Sequence, residues 1–240
     1  MNKEKILLPG LDKQIDFLKK NLIAEVNSAL VIGSASEVPA ETISKNFNCT
    51  VEVIVEDYES LLNSKLILSN ESNINARLMS FEATDFNSSS FDLVYAQASI
   101  SSVKRNKIVK EITRILKPGG HFCVGEIVAL NKSVPRFVQD IFDSSDLLPL
   151  FNNDLAQYYL ERKFTLTVSL DLTNTLKEFY LLNADMLKSS KGDLTQQEKS
   201  YYKKLLHKIS HESNAYLKLG GDKYIGFIAL LLQKGANEKR

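Results

Sequence analysis

The chain has 240 residues, enough for one large domain or two small ones, and 44% are hydrophobic against 25% charged, an ordinary globular composition. Thirty Lys and Arg against 29 Asp and Glu leave a net charge of +1, so no chain-wide attraction to nucleic acid or to an anionic membrane is expected. The two cysteines, Cys49 and Cys123, can build neither a disulfide framework nor a four-cysteine zinc site, and they suit a reducing compartment.

The charged start, Met1 to Lys5, leads only into Ile6-Leu7-Leu8, too short for a signal-peptide core. The longest apolar run, Ile225 to Leu232, falls well short of the roughly 20 residues that cross a bilayer as a helix. The expectation is a soluble, cytoplasmic protein with no membrane partner. A chain of this length buries roughly 70% of its unfolded surface without a staple.

Asp12 is placed to cap a helix running to about Ala24, with Ile15, Leu18, Leu22 and Ile23 on one face. Ala29-Leu30-Val31-Ile32 is a short apolar run ending at Gly33, the pattern of a strand buried on both faces. Pro39 suits the first turn of the next helix, with Ser34 or Ser36 as its cap. Val51 to Val55 predicts a second strand, followed at once by Glu56 and Asp57, and Tyr58 to Leu68 a helix. Asn75 to Met79 is a weaker strand and Phe91 to Tyr95 a clearer one. Ile108, Val109, Ile112, Ile115 and Leu116 form a helical stripe, which Pro118-Gly119-Gly120 stops and turns into a strand over Phe122 to Val128.

The second half is more helical. Leu155 to Arg162 and Leu176 to Lys188 read as helices, and Phe164 to Leu170 as a strand. Thr195 with Glu198 makes a capping box for a helix reaching Leu219, ended by Gly220-Gly221, and Tyr224 to Leu232 closes the chain as a strand. Strand and helix alternate from about 28 to 130, and the strands are short, apolar and β-branched. That pattern predicts an α/β fold, doubly wound, whose mostly parallel sheet is covered on both faces and binds ligands beyond the carboxyl ends of its strands.

Two features carry chemistry. The strand-loop-helix unit Val31-Ile32-Gly33-Ser34-Ala35-Ser36-Glu37 places a glycine turn before a helix N-terminus, where a nucleotide can approach the backbone. Only Gly33 of three expected glycines is present; Ala35 and Glu37 occupy the other two places. Glu56 then follows 23 residues after Gly33, at a strand end, where a carboxylate can accept from both hydroxyls of a ribose. Asp57 beside it can exchange roles with it.

Other patterns have plainer readings. His207 and His211, four apart, lack the glutamate of a zinc-protease helix and a third ligand, and read as a solvated or packed pair. Cys49 and Cys123 read as small core residues. Tyr202, Leu205, Leu206, Ile209, Tyr216 and Leu219 form a packing face, and the lysines between Lys199 and Lys208 a wet one.

The phrases Ser90-Phe91-Asp92-Leu93-Val94 and Leu116-Lys117-Pro118-Gly119-Gly120, with Pro9-Gly10-Leu11 ahead of the first helix, carry a resemblance. Residues 28 to 130 resemble the class I S-adenosylmethionine-dependent methyltransferases, in particular small-molecule enzymes with an LKPGG turn. The resemblance implies a seven-stranded Rossmann-like sheet with an antiparallel last strand and extra helices capping the active-site side. It implies one domain over 1–240: a helical cap over 1–27, a cofactor-binding core over 28–130, and substrate-side helices and last strands over 131–240.

It also implies S-adenosylmethionine as cofactor. Gly33, Ser34 and Ala35 would cradle it, Glu56 or Asp57 would take its ribose, and Ser80, Phe81 and Glu82 would line the adenine. Ala96, Gln97, Ala98 and Ser99 would line the methyl-transfer region, with Gln97 also at the cofactor. Val31 stands where the family has an acid, so Glu37 is expected to point toward solvent and to offer its charge to the methionyl end. The implied function is methyl transfer to a small molecule rather than a nucleic acid, with no metal and no assigned catalytic residue. The alternative is a non-catalytic methyltransferase-like binding or regulatory protein. Nicotinamide-dependent reduction is less consistent, because the Leu-Lys-Pro-Gly-Gly turn is not part of that fingerprint.

Overall fold

A computed structural model describes residues 6–69, 71–189 and 212–235. Its centre is one sheet, whose strands are β1 (Ser28–Ile32), β2 (Thr50–Val55), β3 (Ile74–Leu78), β4 (Phe91–Gln97), β5 (Leu116–Ala129), β6 (Leu150–Phe151), β7 (Phe164–Asp171) and β8 (Ile225–Lys234). The order is β3-β2-β1-β4-β5-β8-β7, with the two-residue β6 paired to the end of β5. Strands β1 to β6 pair in parallel; β8 runs antiparallel between β5 and β7. The expected antiparallel last strand is therefore present. The one addition is β6, too short to show as a hydrophobic run.

The alternating faces of these strands build two cores. Ala29, Val31, Val53 and Tyr95 pack on one side against Ile15 and Leu18 of α1 (Leu11–Asn21), Ala40 and Ile43 of α2 (Glu37–Phe47) and Leu61 of α3 (Tyr58–Ile67). Leu30, Ile32, Val94 and Phe122 pack on the other side against Ile108 and Ile112 of α4 (Arg105–Ile115) and Leu155 and Tyr159 of α6 (Asn152–Leu160). Val138 and Ile141 of α5 (Arg136–Ser144) and Leu176 and Phe179 of α7 (Leu176–Ser189) join the first core. Residues 212–218, here α8, are helical, and Tyr216 packs into that same core.

The connections set the crevice. β1 leads through α2 outward to β2 on one face, and β4 leads through α4 to β5 on the other face, in the opposite direction. The switch point thus lies between the carboxyl ends of β1 and β4, the place where open α/β sheets bind ligands.

Several local expectations are corrected. Asp12 does not cap α1: Gly10, left-handed at φ 89°, holds the N-cap, and the Asp12 carboxylate instead accepts from the Ile6 N–H at 3.4 Å. The helix ends at Asn21 because Leu22 turns extended; Leu22 stays buried while Ile23 is 96% exposed. The Pro-Gly-Gly segment does not reverse the chain. Leu116 pairs with Phe91 and His121 with Leu93, so Lys117 to Gly120 is a bulge inside β5. Gly120 is required there, since a Cβ would lie 2.9 Å from the Lys117 carbonyl oxygen. The capping box at Thr195 and Glu198, the pair His207 and His211, and the lysines from Lys199 to Lys208 lie outside the described residues.

Candidate active site

The loop after β1 is locked to the loop after β4. Gly33 sits at φ 123°, its N–H donates to the Ile54 carbonyl at 3.0 Å, and a Cβ on it would lie 2.7 Å from Ser99 Cβ. The Ser99 hydroxyl donates to the Ile32 carbonyl at 2.7 Å. The need for glycine at 33 therefore comes first from Ser99, a neighbour in the fold, before any ligand is considered. Ala35 and Ala98 both take left-handed backbone, at φ 58° and 56°. Each such residue costs about 1–2 kcal/mol without glycine, so the surrounding contacts hold both loops in shape.

Helix α3 supplies those contacts to the first loop. Asp57 is its N-cap: one carboxylate oxygen accepts from the Ser60 N–H at 2.8 Å and the other from the Ser60 hydroxyl at 2.6 Å. That uses the single Ser60 proton, so the Ser34 hydroxyl donates to Ser60 Oγ across their 2.8 Å contact. One turn on, the Ser64 hydroxyl donates to Glu37 at 2.6 Å. Glu37 is buried, not turned to solvent, and burial raises its carboxyl above the ordinary value. It faces α3 because Ser60 and Ser64 present hydroxyls without bulk on the side that meets the loop. Ser36, at the N-cap of α2, is 1% exposed, and its hydroxyl has no protein partner.

The region beyond the ends of β2 and β3 is acidic. Glu56 directly follows β2 and accepts from the Phe81 N–H at 3.0 Å, with Ser80 Oγ at 3.5 Å from the same oxygen. Glu82 pairs with Lys104 at 2.9 Å and Lys107 at 3.1 Å. The two ammonium groups hold its carboxyl below the ordinary range. The structure thus brings Glu56, Ser80, Phe81 and Glu82 together and turns Asp57 away into a helix cap. Gln97 is wholly buried: its amide nitrogen donates to the Pro9 and Leu11 carbonyls at 2.8 and 3.0 Å, and its oxygen accepts from Tyr95 at 2.7 Å. Its side chain anchors the N-terminal segment.

Behind the β4 loop lies a buried network that the sequence reading did not single out. Glu126 of β5 accepts from Arg105 Nε at 2.7 Å, from the Ser101 hydroxyl at 3.1 Å and from the Tyr159 hydroxyl. Arg105 also donates to the Leu148 carbonyl at 2.7 Å. The signals were a charge inside the apolar run Phe122 to Leu130, the serines Ser60 and Ser64 one turn apart, and two lysines at the start of α4.

Comparison with known proteins agrees with this fold. Residues 30–124 match the family model described as a methyltransferase domain. The match spans less than half of the chain, and the sheet continues past it in β7 and β8. The (4+2)-cyclase SpnF superposes with TM-score 0.75 at 16% identity, over 94% of this chain and 81% of that one. Geranyl diphosphate C-methyltransferase from Streptomyces coelicolor A3(2), bound to Mg2+, geranyl diphosphate and S-adenosyl-L-homocysteine, superposes with TM-score 0.68 at 13% identity, over 93% and 77%. Phosphoethanolamine N-methyltransferase 2 of Haemonchus contortus, bound to S-adenosyl-L-methionine, gives TM-score 0.73 at 12% identity, over 93% of this chain and 52% of that one. No curated protein sequence matches the chain. Among the described residues no helix is long and apolar enough to cross a membrane, and no cluster suited to a metal ion occurs.

Proposed function

We propose that the chain binds S-adenosylmethionine at the carboxyl ends of β1, β2 and β4 and transfers its methyl group to a small molecule. The observation that carries this is the convergence, at the switch point, of the Gly33–Ser99 interlock, the unpartnered Ser36 hydroxyl at the start of α2, and Glu56. A buried hydroxyl without a partner beside a helix N-terminus fits a ligand bearing a carboxylate. Glu56 retains acceptor capacity for ribose hydroxyls beyond its bond to Phe81.

The cofactor supplies a methyl group that its sulfonium already makes electrophilic. The protein's work is alignment and exclusion of water. Gly33, Ser34 and Ala35 shape the cradle, Ser36 and the α2 N-terminus take the carboxylate, Glu56 orients the ribose, and Ser80, Phe81 and Glu82 border the base. Ala98 and Ser99 line the approach to the methyl group. The helices α5, α7 and α8 pack aromatic residues, Phe137 on Tyr224 and Tyr180 on Tyr216, above the β5 and β8 ends and form the acceptor side. The geranyl diphosphate bound by one methyltransferase neighbour, and the near-neutral charge of this chain, support a small-molecule acceptor rather than nucleic acid. We read 1–240 as a single domain, with 28–130 as the cofactor core, working in the cytoplasm.

A second reading has specific support. The loop keeps one glycine of three, and a cyclase shares the fold. A chain of this kind binds the cofactor weakly or not at all and acts as a binding or regulatory protein. Calorimetric titration with S-adenosylhomocysteine separates the readings. The first expects micromolar binding, about −8 kcal/mol, weakened in Glu56→Ala by about 1.5–3 kcal/mol as charge-assisted hydrogen bonds to the ribose are lost. Absence of binding in the folded wild-type protein supports the second.

A further inference from the structure

The segment before α1 is held against the sheet in a strained shape. Gly10 and Leu11 are both left-handed, at φ 89° and 47°, and Leu11 carries a side chain that disfavours this backbone. One side chain latches them: the Gln97 amide, at the end of β4, donates to the Pro9 and Leu11 carbonyls on either side of Gly10. Gly10 in turn rests on Phe227 of β8, where a Cβ would lie 2.5 Å from the ring. The same ring leans over Gly125 of β5, where any Cβ would collide with it and with Gln14 Oε1 of α1. Phe227 is thus a buried plug, with the strap 6–11 on one side and Gly125 and Gln14 Oε1 on the other. Gln14 is fully buried, and its amide nitrogen donates to the Ala96 carbonyl at 3.0 Å. Its oxygen has no hydrogen-bond partner, one of two such buried side-chain atoms among the described residues. A buried acceptor without a donor is costly and calls for an explanation. The Gly125 carbonyl accepts from the Ala98 N–H at 2.9 Å, so the stranded oxygen lies beside the start of the β4 loop.

We infer that Gln14 Oε1, above Gly125, is where the methyl acceptor is recognised, through an N–H or O–H on that molecule, and that the strap 6–11 with the Phe227 ring is the cover of this pocket. The methyl-acceptor role rests on the cofactor reading above; the pocket does not. Opening the strap breaks two hydrogen bonds to Gln97 but relieves two left-handed residues, so strain offsets part of what the latch contributes. A molecule that takes the place of the ring over Gly125 and carries a donor pairs with the stranded oxygen. One without a donor leaves it unpaired, and that difference sets the selectivity.

The test uses two neutral probes, N-methylacetamide, which carries one N–H, and N,N-dimethylacetamide, which carries none. Binding is followed by the magnetic-resonance shifts of the Gly125 and Phe227 backbone amides in isotope-labelled wild type, Gln14→Leu and Gln97→Met, each checked for fold by circular dichroism. Wild type is expected to bind N-methylacetamide about two- to tenfold more tightly than the dimethyl compound, the range of one neutral hydrogen bond. Gln14→Leu should bind the two equally. Gln97→Met removes both latch donors at similar bulk. It should speed amide exchange at Leu11 and Lys13, whose N–H groups bond to the Leu8 and Gly10 carbonyls. It should also tighten binding of both probes by at least about twofold, because the open form is more populated, with the preference kept. No preference in wild type, a preference retained in Gln14→Leu, or no shift with either probe even in Gln97→Met overturns the pocket. Faster exchange in Gln97→Met without tighter binding overturns the cover. Titration of the same proteins with S-adenosylhomocysteine reports on the cofactor reading separately: failure to bind, with the probe preference intact, overturns that reading and the methyl-acceptor role and leaves a donor-binding pocket.

Discussion

Position 37 shows how a side chain at odds with its neighbours' pattern is absorbed. A glutamate stands where the glycine-loop pattern expects its third glycine, and the side chain turns into the protein, against Ser64, at the first turn of α2. Burial is the largest influence on it and raises its carboxyl above the unfolded value of 4.5. The folded state therefore holds this proton more tightly than the unfolded chain does. Its contribution is most favourable at or below the unfolded value and is lost as pH rises through the folded one. Glu37→Gln keeps the shape and the Ser64 contact but removes the charge. Urea unfolding is expected to find Glu37→Gln more stable than wild type at about pH 8, with the difference shrinking to nothing near pH 4; a constant difference across pH would contradict this. At this scale Gly33 and Glu56 were legible, because each is a residue type at a fixed offset from a strand end. The direction of Glu37 was not, since it depends on Ser60 and Ser64 in another helix, whose one-turn spacing marks a small-residue face but not what that face meets.

Among elements, α3 braces the loop after β1. Its cap, Asp57, and its serines hold Ser34 and Glu37, so the helix start braces the left-handed turn at Ala35. Replacing Asp57 with Ala removes the acceptor for the Ser60 N–H and hydroxyl and is expected to cost about 0.5–2 kcal/mol in chemical unfolding. Affinity for S-adenosylhomocysteine should stay within about twofold, in contrast to Glu56→Ala; a larger loss at Asp57 than at Glu56 would reverse the roles of the two acids. The strands and helices over 28–115 follow from the hydrophobic pattern, because buried parallel strands read as plain apolar runs. The limits of α1 and the bulge at Lys117–Gly120 do not. One depends on Gly10 adopting a left-handed cap, the other on which residue of β4 faces which residue of β5, and pairing register leaves no trace in either strand alone.

The antiparallel last strand came from resemblance and not from periodicity, and neither says which strand lies beside which. What joins the β4 loop to α6 and the segment before β6 is polar, and it lies where the sequence shows only a strand. Glu126 and Arg105 are both buried, and their network reaches the β4 loop through Ser101, α6 through Tyr159 and the segment before β6 through Leu148. The charge at 126 interrupts an otherwise apolar run, which was a readable signal, but its partner sits 21 residues earlier at the start of another element. Buried ion pairs gain little over well-packed apolar residues, yet breaking one leaves a charge with no water and no partner. Glu126→Ala is therefore expected to destabilise by about 3–5 kcal/mol, measured by urea unfolding, and to loosen the Ser101 end of the β4 loop, read as faster amide exchange there. The double variant Arg105→Met with Glu126→Met removes the stranded charge and should recover most of that loss. Recovery of stability without recovery of exchange protection would show that the pair's contribution is to hold the loop rather than to stabilise the fold. A double variant as unstable as Glu126→Ala would show instead that the hydrogen bonds from Tyr159 and Ser101, and not the buried charge, dominate the cost.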